Sequence, residues 1–155
     1  VTLRGVETAD IDILFEFERD PESVRMAAFT AADPDDRVAF DAHWAKILAD
    51  PVIVSRTVLD DDRVAGTVAS FVMEGEREVT YWIDRARWGR GIASTALALL
   101  LTEVTERPLF ARAAADNAAS IRVLQRNGFH LIGDNVDFAA GRGADTRELI
   151  LRLEV

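Results

Sequence analysis

The hydrophobic positions of the chain follow two spacings that predict strands alternating with helices. After Gly91, apolar residues recur every three or four positions, as on the buried face of a helix: Ile92, Ala93, Ala96, Leu97, Leu100, Leu101 and Val104. Residues 78–83 form a short β-branched and aromatic run, which favours a strand. Residues 84–90 between them are charged and contain Gly89, so they predict a loop. The centre of the chain is therefore a strand, a glycine-containing loop and a helix.

The rest of the chain shows the same alternation and predicts an α/β fold. Further strands are predicted at residues 1–4, 53–59, 64–73, 109–114, 129–138 and 146–153. No repeat or linker interrupts the pattern, and 155 residues are enough for one hydrophobic core. We therefore expect a single domain over residues 1–155.

Four further helices are predicted from their capping residues. Thr8 or Asp10 is expected to cap the first helix, and Pro21 separates it from a short second helix. Asp33 is expected to cap the third helix, because Pro34 suits a first helical position. The buried stripe of that third helix is expected to be Phe40, Trp44, Ile47 and Leu48. Asn117 is expected to cap the last helix.

Composition excludes several classes of function. The net charge of −9 argues against non-specific binding of nucleic acid, which needs a basic face, and it suits a cationic substrate. The absence of cysteine excludes disulfides, thiolate metal sites and a cysteine nucleophile, and with only two histidines no metal centre is expected. No apolar run is long enough to span a bilayer, and no secretory signal pattern opens the chain. We expect a cytoplasmic protein without membrane contact.

Gly89 and Gly91 lie where the central loop enters its helix. Backbone N–H groups and the helix N-terminus could bind a pyrophosphate there. A Rossmann fingerprint would need a third glycine, and a phosphate-loop lysine is also missing because Lys46 is the only lysine. Spacing alone therefore leaves an anion site and an ordinary tight turn as equal alternatives.

Two blocks of sequence resemble the GNAT superfamily of N-acetyltransferases. The block Trp88-Gly89-Arg90-Gly91-Ile92-Ala93 resembles its acetyl-coenzyme A motif, Gln/Arg-x-x-Gly-x-Gly/Ala, with Trp88 at the Gln/Arg position. The block Asn117-Ala118-Ala119-Ser120, followed by Asn127-Gly128-Phe129, resembles the branch of the ribosomal-protein N-terminal acetyltransferases, the Rim type. Tyr81-Trp82-Ile83 resembles the same branch. The resemblance covers roughly residues 63–153.

The resemblance implies a GNAT fold, a mixed and mostly antiparallel sheet of about seven strands with helices on both faces. It implies acetyl-coenzyme A as the acyl donor and direct transfer to a primary amine, either a protein N-terminus or a small molecule. The alternative is a degenerate domain that binds acyl-coenzyme A in a regulatory or sensing role. No motif identifies the acceptor amine, and a homodimer is suggested only by analogy.

The resemblance also implies which residues contact the donor. The strand before the glycine loop would line the pantetheine arm and supply a backbone oxyanion donor. The loop and the first helical turn would hold the pyrophosphate, with Arg90 favoured over Arg87 as its cationic partner. The expected contacts are Tyr81, Trp82, Ile83, Trp88, Gly89, Arg90, Gly91, Ile92, Ala93, Ser94 and Asn117.

Glu78 and Ser120 are the catalytic candidates. Many relatives place a glutamate at the position of Glu78, acting on the amine directly or through water. A carboxyl with a pKa of about 4.3 is a poor base for an ammonium group, so Glu78 would need burial or a water relay; the alternative is an ordinary strand-edge charge.

Ser120 matches a serine that the resembled branch uses near the leaving sulfur, although a hydroxyl at this helical position is also unremarkable. The superfamily's usual tyrosine would stand at Leu124, so Ser120 or water is left as the proton donor, and the degenerate alternative stays open. The only tyrosine, Tyr81, is expected to line the pantetheine or the core.

Overall fold

The computed structural model describes all 155 residues and contains one seven-stranded sheet with helices on both faces. The strands are β1 (Thr2–Gly5), β2 (Val54–Asp60), β3 (Arg63–Met73), β4 (Glu76–Ile83), β5 (Leu109–Ala114), β6 (His130–Ala139) and β7 (Ala144–Leu153). The helices are α1 (Thr8–Glu18), α2 (Pro21–Ala27), α3 (Arg37–Ala49), α4 (Ile92–Glu103) and α5 (Ala118–Arg126), with a 3-10 turn at Arg85–Arg87. The predicted α/β class and mixed sheet are confirmed.

The strand order is β1-β2-β3-β4-β5-β7-β6, and every neighbouring pair is antiparallel except β4 and β5. β4 and β5 run parallel and share one residue pair, Glu78 with Phe110. β4 continues for five more residues, to Ile83. The two central strands therefore separate just after Glu78, and the sheet opens along its middle.

One face of the sheet carries the main hydrophobic core and is covered by α4 and α5; we call it the α4 face. Odd-numbered residues of β4 point to this face, because Val79 and Ile83 belong to the core cluster. They pack with Leu97 and Leu100 of α4 and with Leu124 of α5, all of them without solvent exposure. This packing fixes the helix that follows the glycine loop against the central strand.

The opposite face is covered by α1 and α2, and we call it the α1 face. Even-numbered residues of β4 point to it, since Trp82 Nε1 donates to the carbonyl oxygen of Phe17 near the end of α1, at 3.2 Å. The start of α1 is fixed by the buried Asp10, which accepts from Thr57 Oγ1 of β2 at 2.7 Å and from Arg4 of β1 at 2.7 and 3.0 Å. Both ends of α1 are thus attached to the sheet.

The loop between β6 and β7 closes the far end of the α1 face. Gly141 N donates to Ala28 O at 2.8 Å, and Arg142 forms two hydrogen bonds with Asp116, before α5. A Cβ added at Gly141 would lie 2.5 Å from Val24 O, so only glycine fits this approach. The loop therefore joins α2 to the start of α5.

The third helix differs from its prediction. It begins at Arg37 with Asp36 as its N-cap, and residues 33–36 instead form a turn in which Asp33 Oδ1 accepts from Asp35 N at 2.9 Å. Its stripe is only partly buried: Trp44 lies in the interior, whereas Leu48 is 50% exposed. The first helix is capped by Glu7, in a capping box with Asp10, rather than by Thr8 or Asp10 themselves.

No helix combines the length and hydrophobicity that crossing a bilayer requires. No group of three or more histidine or acidic side chains is arranged to hold a metal ion.

The attachment of α1 through Asp10 can be tested by stability measurements. Burial acts to raise the pKa of Asp10, but hydrogen bonds from Arg4, Glu7 N and Thr57 outweigh it and lower the pKa to about 2. The charged form therefore stabilises the fold above pH 3.8, and this contribution is lost as the pH falls toward 2. Chemical denaturation at pH 7 should show that Asp10→Ala lowers the free energy of unfolding by about 3 kcal/mol.

The control is Asp12→Ala, on the same helix, because Asp12 pairs with Arg37 at the surface. It should cost less than about 1 kcal/mol. Equal losses in the two variants would contradict the role given to Asp10.

Candidate active site

The opening between β4 and β5 leaves part of the β4 backbone without a strand partner. Asp84 N donates to Ala65 O at 2.8 Å, so the even-numbered residues of β4 bond to β3 and the odd-numbered ones point toward β5. Beyond Glu78 no residue of β5 pairs with β4. Tyr81 and Ile83 therefore direct their N–H groups into the opening, whereas the backbone of Trp82 bonds to β3.

Trp88 lies at the far end of this opening. Its Nε1 donates to the carbonyl oxygen of Ile83 at 2.9 Å, and its side chain is 43% exposed. The hydrogen bond ties the glycine loop back to the last residue of β4. The indole therefore stands between the opening and the loop, with part of its surface free for contact.

The glycine loop ends in an uncapped helix. Gly89 and Gly91 have φ values of 78° and 75°, which side-chain-bearing residues rarely adopt. Gly91 is the N-cap of α4 and offers no side chain to the first helical N–H groups. A Cβ at either glycine would meet nothing within 4 Å, so the space above the loop is open. The loop thus combines free N–H groups, a helix N-terminus and room for an anion.

Of the two arginines beside the loop, only Arg90 is free. Arg87 binds Asp60 at 2.7 Å and also faces Asp84 at 3.7 Å. Arg90 is exposed and forms no ion pair. The side chain that can meet an arriving anion without breaking a contact is therefore that of Arg90.

Asn117 has the capping role that the sequence predicts, and it also joins two helices. Its Oδ1 accepts from Ser120 N at 3.2 Å, and its Nδ2 donates to Met26 O of α2 at 3.2 Å. At the other end of α5, Asn127 Nδ2 contacts Ser94 O and Ser94 Oγ at 3.2 and 3.3 Å. Both asparagines of the second sequence block therefore position α5 beside the first turn of α4 and the end of α2.

Ser120 faces the α4 side of the opening and contacts Tyr81. The two hydroxyl oxygens are 2.6 Å apart, and Tyr81 Oη is also 3.1 Å from Ser120 O. Burial raises the pKa of Tyr81 to about 12, so the phenol stays protonated at neutral pH. Leu124, at the position of the superfamily's usual tyrosine, is completely buried in the core. The phenol that lies beside Ser120 therefore belongs to β4 and not to α5.

Glu78 lies on the opposite, α1 face, where the strands begin to separate. It is 4% exposed, and burial raises its pKa despite Arg112, whose Nε is 3.5 Å from Glu78 Oε2. Arg112 of β5 also bonds Glu148 of β7 at 3.3 Å. Two carboxylates thus share one guanidinium, which leaves an excess of one negative charge. Glu78 is not an ordinary strand-edge charge.

Thr80 marks a cleft above this cluster. It lies on the central strand between Glu78 and Trp82 and points to the α1 face, yet its side chain is exposed. A residue in the middle of a seven-stranded sheet is normally covered, so α1 and α2 leave the sheet open here. The cleft reaches the sheet beside Glu78, at the point where β4 and β5 part.

A further acidic group lies on the same side. Glu18 ends α1, directly after Phe17, whose carbonyl binds Trp82. Burial raises the pKa of Glu18 to about 7, and the side chain forms neither a hydrogen bond nor an ion pair. Its charge therefore changes near neutral pH, on the face that carries Glu78.

Comparison with known proteins gives the family. The model of the acetyltransferase (GNAT) domain family matches residues 1–130. The chain therefore belongs to the GNAT family of acetyltransferases, as the two sequence blocks predict.

Individual relatives agree with this assignment. An uncharacterized N-acetyltransferase, p20 of Bacillus licheniformis, is 26% identical over 156 residues, covering 92% of this chain and 86% of that protein. The fold is similar to that of a ribosomal-protein-alanine N-acetyltransferase from Brucella melitensis, with a TM-score of 0.83, 22% identity and full coverage of both chains. It is also similar to spermidine N-acetyltransferase from Vibrio cholerae, solved with CoA and spermine, with a TM-score of 0.78, 17% identity and coverage of 97% and 94%.

Four features of the site are not among those predicted from the sequence. They are the hydroxyl contact of Tyr81, the charges of Arg112 and Glu148, and the raised pKa of Glu18. Strand alternation could have placed Arg112 on the face of Glu78, because residues 110, 112 and 114 share one side of their strand. The pairing of Tyr81 with Ser120 spans 39 residues and has no local signal.

Proposed function

We propose that this protein transfers an acetyl group from acetyl-coenzyme A directly to a primary amine. The observation that carries the proposal is the opening between β4 and β5, with an uncapped glycine loop at one end and a buried glutamate at the other. Such an opening accommodates an extended thioester whose diphosphate and reacting carbonyl lie far apart. The family assignment supports acetyl transfer.

The donor half of the proposal rests on backbone groups. The N–H groups around Gly91 and the free Arg90 suit the diphosphate. The N–H groups of Tyr81 and Ile83 lack a partner in β5, and in the proposal that of Ile83 bonds an amide of the pantetheine arm. The Tyr81 N–H donates to the thioester carbonyl oxygen as it gains negative charge, and such a fixed donor contributes about 3 kcal/mol in other enzymes.

The acceptor half rests on the α1 face. An amine enters as an ammonium ion and must lose a proton before it attacks. The excess negative charge of Glu78, Arg112 and Glu148 favours a cation in the cleft above Thr80. Glu78 has its pKa raised by burial, so it accepts a proton more readily than an exposed carboxyl. We assign Glu78 as the base, acting directly or through a water molecule.

In the proposal, the group that assists the departing thiolate lies on the α4 face. As the amine nitrogen bonds to the carbonyl carbon, the carbon–sulfur bond breaks and its electron pair stays on sulfur. A thiol pKa of about 8.5 makes the thiolate a good leaving group, so hydrogen bonding is sufficient help. Ser120 supplies that hydroxyl in the proposal. Base and hydroxyl then act from opposite faces of the sheet, with the thioester between them.

The acceptor class stays open between a protein N-terminus and a small-molecule amine. The resemblance of the second sequence block, together with the similar fold of a ribosomal-protein-alanine N-acetyltransferase, favours a Rim-like enzyme and hence an N-terminal amine. The similar fold of a spermidine N-acetyltransferase supports the alternative of a polyamine, which also suits an acidic cleft. A screen of peptides and polyamines by thiol release separates the two.

Donor binding is the first test. Isothermal titration should show binding of acetyl-coenzyme A and free coenzyme A, but not of NAD. Gly91→Asp should weaken binding by at least about tenfold, or about 1.4 kcal/mol, because it places a carboxylate where the diphosphate belongs.

The matched control for this test is Gly75→Asp. Gly75 has a φ of 80° in the exposed turn between β3 and β4, so the variant carries the same strain and the same charge away from the loop. It should bind the donor as the wild type does. Absence of donor binding in the wild type would contradict the proposed function, and equal weakening in both variants would contradict the placement of the diphosphate.

The base is tested by pH profiles once an acceptor is known. Glu78→Gln should lower kcat by about a hundredfold and remove the fall in rate at acidic pH, because Gln cannot take up the proton. Glu74→Gln is the control, since Glu74 is exposed in the turn before β4; Glu76 is unsuitable because its charge contributes to the raised pKa of Glu78. A Glu18→Gln variant tests whether Glu18, the second carboxyl with a raised pKa, causes the fall in rate at acidic pH. If the fall disappears in Glu18→Gln and persists in Glu78→Gln, the base is wrongly assigned.

A further inference from the structure

The hydrogen-bond donors and acceptors of Tyr81 and Ser120 indicate that their contact has a role beyond packing. Tyr81 Oη has one hydrogen and two neighbouring acceptors, Ser120 Oγ at 2.6 Å and Ser120 O at 3.1 Å. Ser120 Oγ also has one hydrogen, and Tyr81 Oη is its only hydrogen-bond partner in the protein. The two hydroxyls therefore have two ways to share their hydrogens.

In the first arrangement every hydrogen stays within the protein. Ser120 donates to Tyr81 Oη, and Tyr81 donates to Ser120 O. In the second arrangement Tyr81 donates to Ser120 Oγ, and the Ser120 hydrogen is free to point elsewhere. The change between them needs two hydroxyl rotations and no movement of a heavy atom. The Ser120 hydroxyl can thus donate to Tyr81 when no ligand is present and donate to a ligand atom when an acceptor binds nearby.

The position of the pair identifies that acceptor. Tyr81 belongs to the stretch of β4 that has no partner in β5, and Ser120 lies in the first turn of α5, beside the opening. Position 124 of α5 provides no hydroxyl, since it is occupied by Leu124, which is buried in the core. Tyr81 is also the only tyrosine in the chain. A group with developing negative charge in the opening would meet this pair on the α4 face.

We infer that Tyr81 is a positioning residue for the leaving sulfur: its hydroxyl, bonded to Ser120 Oγ, directs the Ser120 hydrogen onto the thiolate of coenzyme A. The inference rests on the proposed function and deepens it. The carbon–sulfur bond breaks with its electron pair on sulfur, and the Ser120 hydroxyl stabilises that charge by a hydrogen bond without giving up its proton. The proton released by the amine leaves through the α1 face. A donor that is itself accepting a hydrogen bond is strengthened, which is the contribution of Tyr81.

The test measures the thiol pKa of free coenzyme A bound to the protein, by ultraviolet absorbance of the thiolate against pH. The chain has no cysteine, so no protein thiol contributes to the signal. Tyr81 itself does not titrate in the range, because burial raises its pKa to about 12. In the wild type the bound thiol should titrate below its ordinary value of about 8.5.

Three variants decide the outcome. Tyr81→Phe and Ser120→Ala should each raise the bound thiol pKa by about half to one unit, and the double variant should raise it no further, because the two hydroxyls act as one chain. Ser120→Thr should restore the wild-type value, since it keeps the hydroxyl. Ser70→Ala is the matched control: Ser70 is a buried hydroxyl on the neighbouring strand, bonded to Arg77 and away from the pair. It should leave the thiol pKa unchanged.

Two results would overturn the inference while leaving the proposed function intact. One is a bound thiol pKa that is the same in the wild type and in Tyr81→Phe. The other is a Tyr81→Phe effect that persists in the Ser120→Ala background, because Tyr81 would then act on sulfur without Ser120. If coenzyme A does not bind the wild type at all, the proposed function fails and this inference with it. Thermal unfolding of each variant confirms that the fold is retained.

Discussion

The limited pairing between β4 and β5 is the constraint on which the rest of the site depends. The two strands meet at Glu78 and Phe110 and then separate, so a seven-stranded sheet carries an opening at its centre. Unpaired backbone groups in a protein interior are costly unless a partner reaches them. In the proposed function, an extended thioester is that partner. The opening is tolerated because both flanking strands are held elsewhere, β4 by eight residue pairs with β3 and β5 by six with β7.

The two faces of the sheet give the opening two chemical environments. The α4 face carries the main hydrophobic core, and beside the opening it also carries the hydroxyl pair of Tyr81 and Ser120 and the glycine loop. The α1 face carries the buried carboxylates and a cleft. This separation fits a reaction in which an amine loses a proton on one side while a thiolate departs on the other. It requires α1 to stay in place, and Asp10 and Trp82 attach its two ends to the sheet.

Local patterns in the sequence predicted most of the fold and the position of the glycine loop. The 3.6-residue period after Gly91 predicted α4, and β5 begins and ends where the apolar run 109–114 predicted. The glycine loop is a local feature as well, because positive φ values require glycine at both positions. The prediction for α3 was wrong at its start because Asp33 and Asp36 are both good capping residues. The choice between them is made by a turn that hydrogen-bonds Asp35 N, which periodicity does not describe.

The proposed base and the proposed hydroxyl both depend on contacts between distant segments, and these have no local signal. Glu78 was a candidate from its position, but its pKa is raised by burial, against the opposing effect of Arg112. That burial and the cluster with Arg112 and Glu148 arise only when distant strands join in the folded sheet. Alternation could assign each residue to a face. It could not show that Tyr81 meets Ser120, because that contact depends on where α5 lies along β4. The asparagines at the two ends of α5 set this position through contacts with α2 and α4.

The most direct test of the central opening is amide hydrogen exchange resolved by residue along β4. Addition of coenzyme A should slow exchange at Tyr81 and Ile83, whose N–H groups face the opening. It should change Thr80 and Trp82 little, because their N–H groups already bond to β3. Alternating protection of this kind would place the ligand between the two strands. Uniform protection of all four amides, or a change confined to residues outside β4, would contradict the account.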